Sequence, residues 1–84
     1  MSRCILVYDI GDDRVRARVA DVCLDYGLDR IQWSAFVGLL SRNEQEELLL
    51  RITDLLEDHA GDIRLFPICA RDWEQRQVIR AEEA

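Results

Sequence analysis

The chain contains no lysine; all 11 of its basic residues are arginine. Any cationic contact is therefore made by a guanidinium, which suits bidentate binding of phosphate. Codon bias in a GC-rich genome explains the same absence and carries the greater weight. No apolar run approaches the ~18 residues that span a membrane, so no membrane partner is expected. No signal peptide is visible either, since Met1-Ser2-Arg3 leads straight into a short strand-like run; a cytoplasmic location is expected. No Cys-x-x-Cys occurs. Cys4, Cys23 and Cys69 are odd in number and far apart, and each falls in an apolar pattern, so all three read as core. The lone histidine, His59, lies near a helix end and reads as structural. Ser34 has no histidine nearby in sequence to act as a base, which argues against a nucleophilic serine.

What is present is a small domain. At 84 residues with 49% hydrophobic composition, the chain is too apolar for disorder and reads as one domain, 1–84. Its size is near the lower limit for a self-sufficient core, so oligomerisation would help. The net charge of −6 argues against an indiscriminate nucleic-acid binder. Residues 1–42 nevertheless balance 6 arginines against 6 acids, while residues 43–84 hold 5 arginines and 11 acids. A nucleic-acid contact would use the first half.

The apolar run Arg3 to Asp9 reads as a strand central in its sheet. Asp12 or Asp13 can cap a helix that runs to about Tyr26, with Val15, Val19, Val22 and Tyr26 as its buried stripe and Cys23 beside it. Gly27 supplies a left-handed stop. Residues 28–40 are β-like, either one bent strand or two short ones meeting near Gln32–Ser34. Gly38 within them suggests a bulge or a close backbone approach. Ser41-Arg42-Asn43-Glu44 has capping-box spacing. The helix after it is expected over about Asn43 to His59, with Leu48, Leu49, Ile52, Leu55 and Leu56 on its apolar face and Gly61 ending it. Asp62 to Ile68 is another strand, which Pro67 marks as an edge or an end. The tail is expected to carry a short extra strand near Gln75–Arg80 and to fray at Ala81–Ala84. The order β-α-β-β-α-β with right-handed crossovers predicts a ferredoxin-like α+β sandwich, both helices on one face of an antiparallel sheet, with a core over 3–68.

The chemistry centres on Asp9, a carboxylate at the tip of the first strand, with Arg14, Arg16 and Arg18 within ten residues. On the residues alone, an Asx turn and a metal ligand account for Asp9 equally well. Asp12 and Asp13 read as caps in preference to ligands. Arg14 and Arg18 share a helical face and Arg16 points elsewhere. Arg16 or Arg18 suits phosphate, or a solvated face with ion pairs; Arg14 equally suits pairing with Asp21 or Asp25. Phe36 reads as core or subunit interface before base stacking. Tyr8 either hydrogen-bonds a phosphate or packs.

Tyr8-Asp9-Ile10, then Asp12-Asp13-Arg14-Val15-Arg16-Ala17-Arg18-Val19, then Gly27-Leu28-Asp29-Arg30-Ile31-Gln32-Trp33-Ser34-Ala35-Phe36-Val37-Gly38 together resemble the CRISPR-associated protein two family. This is the small homodimeric subunit of spacer acquisition, also described as an endoribonuclease family. The resemblance covers residues 3–68 well and the tail loosely. It implies a ferredoxin-like homodimer with a magnesium ion held between the two copies of Asp9. It also implies nuclease roles for Tyr8, Asp9, Arg16, Arg18, Arg30 and Phe36. The C-terminal segment 71–84, through Val78-Ile79, would add a strand to the partner's sheet. Two departures stand out: Val37 replaces the acid that often precedes the motif glycine, and the tail is short.

Three functions compete. One is a magnesium-dependent endonuclease acting on RNA or DNA in CRISPR antiviral defence, including single-stranded RNA. The second is a non-catalytic scaffold that bridges two copies of the larger CRISPR-associated integrase and holds duplex DNA. The third is a ferredoxin-like small-molecule regulatory domain, which leaves the Tyr-Asp-Ile and Arg-Ile-Gln blocks unexplained. Two Asp9 carboxylates brought together repel without a metal, so metal binding is expected to weaken as pH falls.

Overall fold

The computed structural model describes residues 1–83. Its elements are β1 (Ser2–Ile10), α1 (Asp13–Asp25), β2 (Asp29–Gln32), β3 (Ala35–Leu40), α2 (Arg42–Leu56), β4 (Gly61–Ile68) and α3 (Ala70–Glu74). The strands form one sheet in the order β2-β3-β1-β4, with every neighbouring pair antiparallel. The expected α+β arrangement is borne out. β1 is central because it pairs on both sides, with β3 (Ile5 opposite Val37) and with β4 (Ile5 opposite Phe66).

Period-2 alternation gives the sheet two faces. Cys4, Leu6, Tyr8 and Ile10 of β1 join Phe36 and Leu40 of β3 in the core under the helices. Val15, Val19, Val22 and Cys23 of α1 and Leu48 and Ile52 of α2 close it from above. Burying each large apolar side chain contributes roughly 1.5–3 kcal/mol. Ile63 and Leu65 of β4 and Tyr26, Leu55 and Leu56 pack around this cluster. The opposite face carries Arg3, Ile5, Val7 and Asp9 of β1, and no helix of sandwich length covers it.

Local signals place the helices. The Asp12 carboxylate accepts the Val15 N–H at 2.9 Å and starts α1. Gly27, at φ +79°, ends it. At α2 the capping box is complete: Ser41 Oγ accepts from the Glu44 N–H at 3.1 Å, and Glu44 accepts from the Ser41 N–H at 2.9 Å. The β-like stretch resolves into two strands joined at Trp33–Ser34, where the Tyr8 N–H donates to the Ser34 carbonyl at 3.1 Å. Gly38 is a close approach: a Cβ there would stand 2.6 Å from Leu28 Cδ2 and 3.2 Å from Leu28 Cα.

Four expectations are corrected. Helix α2 ends at Leu56, short of His59, because Glu57 leaves helical geometry at φ 52°. Gly61 consequently opens β4 and does not stop the helix. Cys4 and Cys23 are buried as expected, but Cys69 is exposed, since it precedes α3 outside the layered core. The extra C-terminal strand is absent among the described residues of this chain. After β4 the chain turns through the short helix α3, and the segment beyond crosses the open sheet face without aligning along an edge, where ladder hydrogen bonds form. Val78 and Ile79 remain 68% and 95% exposed.

Candidate functional site

Asp9 stands one residue from the end of β1, exposed and on the open face. Its register partner on β4 is Asp62. Directly opposed like charges destabilise a ladder, and here Arg64 relieves the pair. Its Nε donates to Asp62 Oδ1 at 2.8 Å and its second guanidinium nitrogen donates to Oδ2 at 3.1 Å. Those hydrogen bonds hold the Asp62 carboxyl below its ordinary range. Asp9 is thus the carboxylate at this strand end without an ion pair among the described residues. No three His, Cys, Asp or Glu side chains among those residues are grouped to hold a metal ion.

The other expected residues divide between the core and the helix side. Tyr8 is buried, with its ring stacked on Phe36 at 6.1 Å between centroids and 22° between planes. Its hydroxyl is buried without a hydrogen-bond partner. Burial pushes its pKa up, and the nearby Arg30 guanidinium opposes that shift without meeting hydrogen-bond geometry. Phe36 is fully buried, so the core alternative holds for its position. The exposed Arg30 lies over it, its guanidinium carbon 5.0 Å from the Phe36 centroid and 5.0 Å from that of Trp33. Arg16 is mostly committed to the chain. It donates to the Ile10 carbonyl at 2.9 Å and pairs with Asp13. Arg16 and Arg30 nevertheless line one depression of about 210 Å³ with Trp33, Asp13 and Asp21.

Arg18 lies apart from these. With Arg14 it lines a depression of about 610 Å³ near the start of α1, together with Asp12, Leu55, Glu57 and His59. The helical spacing of Arg14 and Arg18 is therefore borne out, and neither makes an ion pair among the described residues. His59 Nδ1 is 3.8 Å from Asp12 Oδ2. The Asp12 carboxyl is held below its ordinary range, first by its capping hydrogen bond from Val15 and further by His59 and Arg14. The structure thus brings Tyr8, Phe36, Arg30 and Arg16 together around the β2–β3 turn, and leaves Arg18 and Asp9 in separate places.

Sequence reasoning missed three features. The Asp62–Arg64 pair was legible, because residues two apart on a strand share a face. Trp33, 70% exposed at the turn, gave no signal beyond its identity. Trp73 of α3 meets two guanidinium groups, Arg3 at 4.7 Å and Arg76 at 3.8 Å from its ring centroid. The contact joins the start of β1 to the tail, and no local pattern predicts it. Between the tail and the open sheet face lies a cavity of about 660 Å³, lined by Ile5, Val37, Ile68, Trp73, Val78 and Ile79 among others.

A family model described as CRISPR associated protein Cas2 matches residues 1–76. The chain belongs to the Cas2 family. A Chloroflexus aurantiacus relative named CRISPR-associated endoribonuclease Cas2 2 is 45% identical over 80 residues, which cover 95% of this chain and 94% of that protein. A Thermoproteus tenax protein named CRISPR-associated endonuclease Cas1/endonuclease Cas2 fusion is 43% identical over 67 residues, covering 80% of this chain and 25% of the fusion. The crystal structure of Streptococcus pyogenes Cas2 at pH 6.5 superposes with a TM-score of 0.77 at 23% identity, covering 94% of this chain and 99% of that one. At that identity the superposition speaks for the fold. The Cas2 resemblance drawn from Tyr8-Asp9-Ile10 and the Arg-Ile-Gln block is borne out.

Proposed function

We propose that this chain works as a homodimer in CRISPR spacer acquisition and cleaves phosphodiester bonds, with Asp9 of each copy at the subunit junction. The observation that carries this reading is the placement of Asp9. It is an exposed carboxylate at the rim of an apolar sheet face that the chain leaves without a helix layer. A second copy packed on that face about a twofold axis would bring its own Asp9 to the first. The names of the relatives support nuclease chemistry, and the Cas1 named in the fused relative supports an integrase partner.

Two carboxylates meet what a magnesium ion takes from protein, since it keeps several waters and adds phosphate oxygens. An ion so held would neutralise phosphate charge and lower the pKa of a bound water. The chain's own residues would do the rest. Asp62 stays tied to Arg64 and leaves Asp9 free to bind. Arg30, with no carboxylate partner among the described residues, and Arg18 are available for phosphate. Arg16 fixes the β1–α1 connection through the Ile10 carbonyl. Tyr8 and Phe36 form the floor beneath Arg30 and act by positioning it.

A second reading is a scaffold that bridges two integrase units and holds duplex DNA by its backbone. It is favoured by the placement of Arg14 and Arg18 in a depression that Asp9 does not line. Pure Asp9→Ala protein separates the two. Loss of magnesium-dependent RNA cleavage, with spacer acquisition in cells retained, assigns catalysis to Asp9 and the cellular role to the scaffold. Cleavage that persists in Asp9→Ala protein removes Asp9 from the site.

A further inference from the structure

We propose that Trp33 is a stacking platform for an unpaired base, with Arg30 beside it, so that the β2–β3 turn binds single-stranded nucleic acid. This rests on the nucleic-acid reading above and deepens it by naming a contact and a strand form. A tryptophan that is 70% exposed in an 84-residue chain is a large aromatic surface left in water. It does not stand on a loose tip. The turn is fastened to β1 by the Tyr8 N–H to Ser34 carbonyl bond, and the strands on either side are paired. The backbone that carries the ring is therefore held in place before any ligand arrives.

The surroundings select the occupant. Arg30 stands 5.0 Å from the Trp33 centroid and 5.0 Å from that of the buried Phe36, so its cation is shelved on the core beside the exposed ring. The depression next to Trp33 is lined by Arg16, Arg30, Asp13, Asp21, Ala17 and Ala20. Its two arginines and two aspartates sum to zero charge. No large apolar side chain rings Trp33 there, as one would around the aromatic anchor of a protein interface. A base offers a π-face and needs no net positive field beneath it, and base–aromatic stacking tolerates any sequence. A duplex keeps all but its two terminal base faces covered, whereas every base of a single strand can offer one, so a single strand is the fitting ligand.

The test uses native protein, Trp33→Ala and Trp33→Phe, with labelled short oligoadenylate RNA and blunt duplex DNA followed by anisotropy. Trp33→Ala is expected to weaken single-strand binding on the order of tenfold. It should leave duplex binding and the slope of affinity against salt unchanged, because no phosphate contact is removed. Trp33→Phe should retain most of the affinity. In a Trp73→Phe background, where Trp33 is the one remaining tryptophan, its emission should be quenched by the RNA and not by the duplex. Equal RNA affinity in Trp33→Ala, or quenching by the duplex to the same extent, overturns the stacking role while the nucleic-acid reading stands. Native protein that binds neither ligand overturns both.

Discussion

The two faces of the sheet differ in how far the chain completes them. On the helix face, Cys4, Leu6, Tyr8 and Ile10 meet α1 and α2, and Leu6, Val19, Phe36, Leu40 and Leu48 are fully buried. On the other face Ile5, Val37 and Ile68 are met by one five-residue helix and an irregular tail, and Leu39 and Phe66 stay about half exposed. The same strands supply both faces, so strand propensity does not explain the difference. Layers do: the helix face is finished from within one chain, whereas the open face asks for a second surface. Asp9 lies on the rim of the unfinished face, away from the packed side that settles stability.

The sharpest break of this comparison is Phe36→Ala. Emptying a fully buried aromatic site costs roughly 3–5 kcal/mol, against about 5–15 kcal/mol of total stability for a typical domain. Urea or thermal unfolding should show most of the stability gone. The matching change on the open face is Phe66→Glu. It should leave the secondary structure intact by circular dichroism and weaken self-association about tenfold or more in sedimentation experiments. A Phe66→Glu chain that unfolds would place the open face in the core and dissolve the distinction.

Capping comes next in size. Ser41→Ala removes one half of the capping box and should cost about 1 kcal/mol. The caps also set an acid limit. Asp12 is depressed by the Val15 N–H, and Glu44 by its hydrogen bonds with Ser41. A depressed carboxylate contributes stability that is fully present above its unfolded value, near ~4, and is lost as pH falls through its folded value. Thermal midpoints should therefore stay level with respect to these groups from neutral pH down to about 5, and drop below about 4. Asp12→Ala should lower the neutral-pH midpoint and shrink that acid drop.

The caps were legible because they are local: a side chain and an N–H three residues on decide them. The α1 stripe, the apolar β1 run and the Gly27 stop were legible for the same reason. The split of residues 28–40 was not, since Gln32-Trp33-Ser34 lacks the glycine, asparagine or proline of a common hairpin turn, and the bond from Tyr8 to Ser34 comes from a distant part of the chain. The tail misled because Val78-Ile79 has strand propensity but pairs with neither edge strand, β2 nor β4, while α3 is fastened by Arg3, 70 residues from Trp73. At the site, the motif gave Asp9 and its strand end. It did not reveal that Arg16 spends its hydrogen bonds on Ile10 and Asp13, or that Arg18 faces a different depression. Those follow from which helix face meets which strand.

The smallest expected effect sharpens the comparison where Asp9 stands. Arg64→Gln removes a pair in which both partners are solvent-exposed, and such pairs contribute little to stability. The melting midpoint should not move measurably. The Asp62 carboxyl should move, because the two hydrogen bonds that depress it are gone while Asp9 remains its register partner. Its pKa, followed by carboxylate carbon NMR, should return to the ordinary range or above it. On the helix face an unpaired charge would cost the fold; on the open face it changes only the local proton balance. If Arg64→Gln lowers the melting midpoint as far as Ser41→Ala does, the rim at Asp9 is part of the stabilising framework and is not free for a ligand.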